Sequence, residues 1–242
     1  MMRILCFVKL VPDVENFKYD YERNVLVREN VQLVINPEDA SSLAFALSLK
    51  KEYPDTYIET VSMAPRGVVP HLEDLVRRGV DRATLLSDRL YAGSDTFATS
   101  CILGRFVSGR SFDWIFSGTH TLDGGTAHVP PQVAELLGLR QMSNIIDIDR
   151  QSLHTETAVV EVDDEEAVLR FGINKPAVLS FQYSTKIKLP YITYEMIDAD
   201  VSANIHVLTK SVWQDPLPEL PAWRSGSSPG RTPFSSAATR KG

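Results

Sequence analysis

The sequence predicts an α/β fold: a doubly wound, mostly parallel sheet with helices on both faces, an antiparallel addition and an extended C-terminal arm. Three observations lead there. Up to Gly138, strand-length apolar runs alternate with helical stripes, the pattern of parallel strands joined by crossover helices. Beyond Gly138, short alternating segments separated by acidic turns take over, as in antiparallel hairpins. From Pro216 onward Pro, Ser, Gly, Arg and Lys dominate, and such a tail lacks the apolar residues to fold alone. It is either disordered or an arm that needs a partner.

The elements follow in order. Arg3 to Leu10 is a continuous apolar run, expected of a strand covered on both faces. Asn24-Val25-Leu26-Val27 alternates like a short edge strand. At Asn36-Pro37-Glu38-Asp39 helix-start signals coincide: Asn36 as cap, Pro37 at the first position, Glu38 and Asp39 complementing the dipole. Leu43, Phe45, Ala46 and Leu49 give that helix its stripe. Tyr57 to Met63 and Thr84 to Leu86 read as strands, and Trp114 to Phe116 as a strand closing on Ser117-Gly118. Leu72 to Arg78, Asp95 to Val107 and Thr126 to Leu137 read as helices, the first stopped by Gly79 and the last by Gly138. Val159 to Val162, Ala167 to Phe171 and Ala177 to Phe181 supply the antiparallel addition.

Composition narrows the function. The chain has 242 residues, 43% hydrophobic and 23% charged, enough to bury a core. Its net charge of −6 carries no footprint for nucleic acid. No apolar run approaches the ~20 residues of a membrane span. The N-terminal run is too short and too soon charged for a signal peptide. The two cysteines, Cys6 and Cys101, sit in apolar settings, so a reduced, cytoplasmic protein is expected.

Ligands of open α/β sheets sit at the carboxyl ends of strands. Here those ends are Phe7-Val8-Lys9, Ser62-Met63-Ala64 and the loop from Gly118 to Pro130, joined by the helix start at Asn36. In Asp123-Gly124-Gly125-Thr126-Ala127-His128 the glycines allow close backbone approach, and the following helix offers free N–H groups to an anion. An ordinary strand-to-helix turn with a threonine cap explains the same loop equally well. Phosphate-loop, dinucleotide-fingerprint and nucleophile-elbow motifs are absent. His120 and His128 lack a third ligand spaced for zinc. No catalytic acid, base or nucleophile is marked.

In order along the chain, these segments resemble the β subunit of electron-transfer flavoproteins. Val8-Lys9-Leu10-Val11-Pro12-Asp13 is similar to that family's V-K-x-V-P-D opening, and Asn36-Pro37-Glu38-Asp39 to its N-P-x-D helix start. Val61-Ser62-Met63-Ala64-Pro65 resembles V-S-M-G-P, and Ala92-Gly93-Ser94-Asp95-Thr96 resembles A-G-A-D-T. Asp123-Gly124-Gly125-Thr126-Ala127-His128-Val129-Pro130 parallels D-G-D-T-A-Q-V-G, with Gly125 for Asp, His128 for Gln and Pro130 for Gly.

The resemblance implies an adenine-nucleotide-binding α/β domain over residues 1–185, then a partner-contacting loop and arm over 186–242. It implies a heterodimer whose α subunit holds an FAD. The β subunit's own nucleotide is FAD in the branch that bifurcates electrons, or AMP in the other. Electrons pass to or from an acyl-CoA dehydrogenase or another flavoenzyme. The docking loop lacks the family's arginine: Lys186-Ile187-Lys188-Leu189-Pro190-Tyr191 stands in its place. Carried over, the nucleotide site comprises Phe7, Lys9, Asn36, Pro37, Glu38, Asp39, Met63, Asp123, Gly124, Gly125, Thr126, Ala127, His128 and Val129. The smallness of Gly125 and Ala127 favours FAD over AMP. The reading of another class is a stand-alone adenine-nucleotide-binding regulator of universal-stress type.

Overall fold

A computed structural model describes residues 1–13, 18–20, 25–27, 32–164, 166–184, 186–210 and 237–240. The predicted tail from about residue 216, with Trp223, and Trp213 before it, lie outside the described residues apart from 237–240.

In chain order the strands are β1 (Arg3–Phe7), β2 (Leu10–Pro12), β3 (Lys18–Asp20), β4 (Val25–Val27), β5 (Leu33–Ile35), β6 (Tyr57–Met63), β7 (Arg82–Leu86) and β8 (Trp114–Gly118). They continue with β9 (Arg140–Ile148), β10 (Thr157–Asp163), β11 (Ala167–Asn174), β12 (Ala177–Phe181), β13 (Ile205–Leu208) and β14 (Ala237–Arg240). The helices are α1 (Pro37–Glu52), α2 (Val69–Arg77), α3 (Thr96–Val107) and α4 (Val129–Leu137). The main sheet runs β13-β7-β6-β1-β8-β12-β9-β10-β11, with β14 paired on the outer edge of β11. From β13 to β9 every neighbour is parallel. Only β10, β11 and β14 run antiparallel to their neighbours.

The helices cover both faces, as the alternation predicts. Leu43, Phe45, Ala46 and Leu49 of α1 and Leu72 and Leu75 of α2 pack on one face, against Ile4, Cys6, Trp114 and Phe116. Leu103 and Phe106 of α3 and Val133 of α4 pack on the other, against Leu5, Phe7 and Ile115. Alternate residues of β1 thus feed opposite cores, which explains why its run is apolar throughout. Phe45, Phe116 and Phe181 form an aromatic cluster with ring centroids 5.1 to 6.1 Å apart.

The structure corrects several expectations. The run from Arg3 to Leu10 is not one strand. Beyond Phe7 the chain leaves the sheet, because the Lys9 amide donates to the Asp39 carboxyl at 2.9 Å and Lys9 O accepts from Asn36 N at 2.8 Å. Leu10–Pro12 then pairs with β5 in a separate ribbon. Val25–Val27 is a strand, paired with β3 in its own hairpin. Ala177–Phe181 is not antiparallel but lies inside the parallel block, between β8 and β9. Two strands carried too little alternation to be read. β9 bends at Asn144, whose φ of 61° breaks its pattern. β13 is only four residues long, yet it closes the sheet edge against β7.

Candidate functional site

The strands that meet at the centre of the sheet decide where a ligand sits. From β1 the chain crosses to β6 and on to β7 on one side, then returns through α3 to β8 on the other side of β1, and a crevice opens at the carboxyl ends where the strand order reverses. A cleft of about 970 Å³ lies there. Its walls come from the ends of β1, β6, β7 and β8 and from the starts of α3 and α4.

The first turn of α1 organises the cleft without filling it. Asn36 stands at the cap position, but its side chain makes no cap hydrogen bond. Its Nδ2 instead donates to His120 O at 2.8 Å, and its Oδ1 accepts from Leu122 N at 3.1 Å. The Glu38 carboxylate accepts from His120 N. Asp39 accepts from Lys9 N at 2.9 Å through Oδ2 and from Gly118 N at 2.6 Å through Oδ1. Asn36, Glu38 and Asp39 therefore tie the end of β1 to the loop after β8. Gly118 makes the approach possible: a Cβ there would stand 2.6 Å from the Glu38 Cβ and 2.8 Å from Asp39 Oδ1.

Burial pushes the Asp39 carboxyl up to about 7, against the pull of the Lys9 and Gly118 amides. Burial likewise pushes the Cys6 thiol up, with the Asp39 charge adding to it, so this thiol is a core group rather than a nucleophile. Partial burial raises Asp123, but hydrogen bonds from Lys9 and Thr121 outweigh it and the carboxyl titrates below its ordinary value. Lys9 Nζ reaches Asp123 Oδ1 at 2.7 Å.

Of the residues named from the sequence, Phe7, Lys9, Asp39, Met63, Gly124, Thr126, Ala127, His128 and Val129 line the cleft. Asn36, Pro37, Glu38, Asp123 and Gly125 do not; Asn36, Glu38 and Asp123 hold its loops from behind. Thr126 does not cap a helix. Gly125 and Ala127 have φ of 59° and 55°, a left-handed conformation that no helix continues through, so α4 begins only at Val129, behind His128.

The sequence reading missed one wall: Ser87 to Thr96, after β7. A signal was present, because Asp95 caps α3 by accepting from Ala98 N at 2.8 Å, and this is a fourth strand end opening a helix. Arg66, on the loop after β6, was missed as well. Among the described residues no His, Cys, Asp and Glu side chains gather in a group able to hold a metal ion. None of the described helices is long and apolar enough to cross a membrane.

The donor set suits a phosphorylated ligand. Two helix starts face the cleft, Thr126 adds a hydroxyl, and the glycines keep the approach open.

Comparison with known proteins points the same way. A family model described as the electron transfer flavoprotein domain matches residues 23–205. The chain is 35% identical over 159 residues to the electron transfer flavoprotein subunit beta of Clostridium acetobutylicum, covering 65% of this chain and 61% of that one. It is 33% identical over 180 residues to the caffeyl-CoA reductase-Etf complex subunit CarD of Acetobacterium woodii, covering 74% and 68%. With Protein FixA of Azorhizobium caulinodans it shares 33% over 189 residues, covering 76% and 67%. The matched part spans 61% to 68% of the length of these relatives.

Proposed function

This chain belongs to the electron transfer flavoprotein family, and from that premise we propose that it is the β subunit of a heterodimeric electron-transfer flavoprotein. In this reading it holds an adenine nucleotide, FAD in preference to AMP, in the cleft at the carboxyl ends of β1, β6, β7 and β8. It relays electrons between flavoenzymes together with an α subunit that carries a further FAD.

The observation that carries the reading is the cleft itself. Its volume of about 970 Å³ lies at the upper end of the roughly 300–1,000 Å³ of small-molecule sites, which supports a dinucleotide. The backbone from Gly124 to Val129, leading into α4, and the start of α3 at Thr96 would hold phosphate oxygens through N–H groups and the Thr126 hydroxyl. Phe7, Met63 and Leu103 line the same cleft and offer apolar surface to the ring systems. A bound flavin supplies the redox chemistry. The residues of this chain bind and orient it, exclude water and set its electrostatic surroundings.

The partner is supported by surface composition. Tyr191 and Tyr194 are 92% and 91% exposed, with Tyr183 and Ile197 exposed nearby in the chain, a poor surface for a lone soluble chain. Arg77 and Arg78 pin this segment by donating to Ala199 O and Pro190 O, so it is presented rather than loose. The redox partner would be an acyl-CoA dehydrogenase or another flavoenzyme.

Nucleotide extraction from the purified complex tests the proposal. Two flavins per heterodimer are expected. One flavin and one AMP would refute the FAD assignment while keeping the family role. A chain that purifies as a stable monomer without flavin or nucleotide would refute the function.

A further inference from the structure

Two cations on the cleft are left unused by the contacts described above. β6 and β7 are parallel neighbours in register, Met63 opposite Leu86, and Ala64 N continues the ladder to Leu86 O. Arg66 lies three residues beyond Met63, and Arg89 three residues beyond Leu86. The register therefore places them at equivalent points on adjacent loops. Each opens a single turn of 3-10 helix, Arg66–Val68 and Arg89–Tyr91, and turn hydrogen bonds from Val68 N to Pro65 O and from Ala92 N to Arg89 O fix the backbone under it.

Both arginines line the cleft and both are exposed. Among the described residues neither forms an ion pair. The acids on this wall are already engaged. Asp88 accepts from Leu90 N and Lys210 N through its two oxygens, and these bonds hold its carboxyl below the ordinary value. Asp95 accepts from Ala98 N. The remaining cation of the cleft, Lys9, is paired with Asp123. Formal charges in the cleft nearly cancel, so what distinguishes the Arg66–Arg89 wall is free donors rather than net charge. A guanidinium presents a planar fork of N–H donors that matches two oxygens of a phosphoryl group.

We propose that Arg66 and Arg89 form a paired subsite for the second phosphoryl group of a bound nucleotide, and so set the preference for a dinucleotide over a mononucleotide. This rests on the adenine-nucleotide reading above, in which the helix starts at α3 and α4 take the first phosphoryl. The two arginines hold the next one along the chain of the ligand, from the loops after β6 and β7.

The test uses the complex as it purifies, stripped of nucleotide and titrated with AMP, ADP and FAD by calorimetry at two salt concentrations. Arg66→Gln and Arg89→Gln are each expected to weaken ADP and FAD about tenfold, the loss of one charge-assisted hydrogen-bonding partner. AMP is expected to change by less than about threefold, and this also reports that each variant is folded. The double variant should bind AMP and ADP alike and show a shallower salt dependence with ADP. Equal losses for AMP and ADP would overturn the subsite in favour of general attraction to the cleft. Unchanged ADP and FAD affinity would overturn it outright. A wild-type complex that binds none of the three nucleotides would overturn the functional reading, and this inference with it.

Discussion

Replacing Gly118 by alanine places a methyl group where the structure has no room for one. The added Cβ would stand 2.6 Å from the Glu38 Cβ, 2.8 Å from Asp39 Oδ1 and 2.9 Å from Asp39 N. The last of these is backbone, and the first turn of α1 that carries it is anchored to both neighbouring loops. A flexible side chain cannot swing away here, so the helix start or the end of β8 must move. Overpacking of this kind costs about 1–3 kcal/mol. Movement also weakens the bond from Gly118 N to Asp39, and such a bond contributes about 0.5–1.5 kcal/mol with the carboxyl protonated and about 1.5–3 kcal/mol once it ionises. The two terms overlap, because one displacement causes both, and a loss of about 3 kcal/mol is expected. For a chain of this size that corresponds to roughly 6–12 °C in Tm. The assay is urea unfolding followed by far-ultraviolet circular dichroism, with nucleotide retention measured in parallel. A loss below about 0.5 kcal/mol, the range of an ordinary surface substitution, would refute the idea that this contact holds the cleft together.

Other perturbations separate the roles of the neighbouring residues. Asn36→Ala removes both side-chain bonds to the 120–122 loop and leaves Leu122 N unpaired; a loss of about 2 kcal/mol is expected, with faster hydrogen exchange at the Leu122 amide, and unchanged exchange would count against the clamp. The raised Asp39 carboxyl, at about 7, makes the folded chain bind a proton that the unfolded chain, at about 3.9, has released. Stability is then greatest below pH 4 from this group and falls as pH rises through 7, by up to about 4 kcal/mol. Asp39→Asn should flatten the slope between pH 5 and 7 in denaturant midpoints, and an unaltered slope would assign it to another group. Thr126→Ala should leave stability within about 0.5 kcal/mol, because Thr126 caps no helix. A drop in nucleotide affinity with unchanged stability would mark it as a direct contact, and a clear loss of stability would contradict the observed helix start.

Much of the scaffold was legible because its signals are local. Asn36-Pro37-Glu38-Asp39 opens α1 and Gly138, at φ 65°, closes α4. Tyr57–Met63 matches the expected strand end for end. The errors arose where long-range contacts decide. Nothing near Lys9 in the sequence announces that a carboxyl thirty residues later will draw its amide out of the sheet. Ala177–Phe181 is buried throughout, and an apolar run of five gives no direction, so parallel and antiparallel placements look alike. At the candidate site, the glycine loop stood out through composition, whereas Ser87 to Thr96 is a wall only because β7 lies beside β6. The Asn36 side chain was legible as a cap, yet its hydrogen bonds go to the 120–122 loop behind the cleft, a choice set by the proximity of that loop.

The position of β13 links two regions that are far apart along the chain. After the exposed tyrosines the backbone runs to Ile205–Leu208, pairs with β7, and delivers Leu208 O to Ser87 N and Lys210 N to Asp88. Ser87 and Asp88 border the cleft. The strand therefore works as a strap: the chain leading into it carries the aromatic surface at Tyr191 and Tyr194, and its far end is buckled to the wall of the cleft. One stretch of chain thus borders both surfaces, the exposed aromatic one and the wall of the cleft.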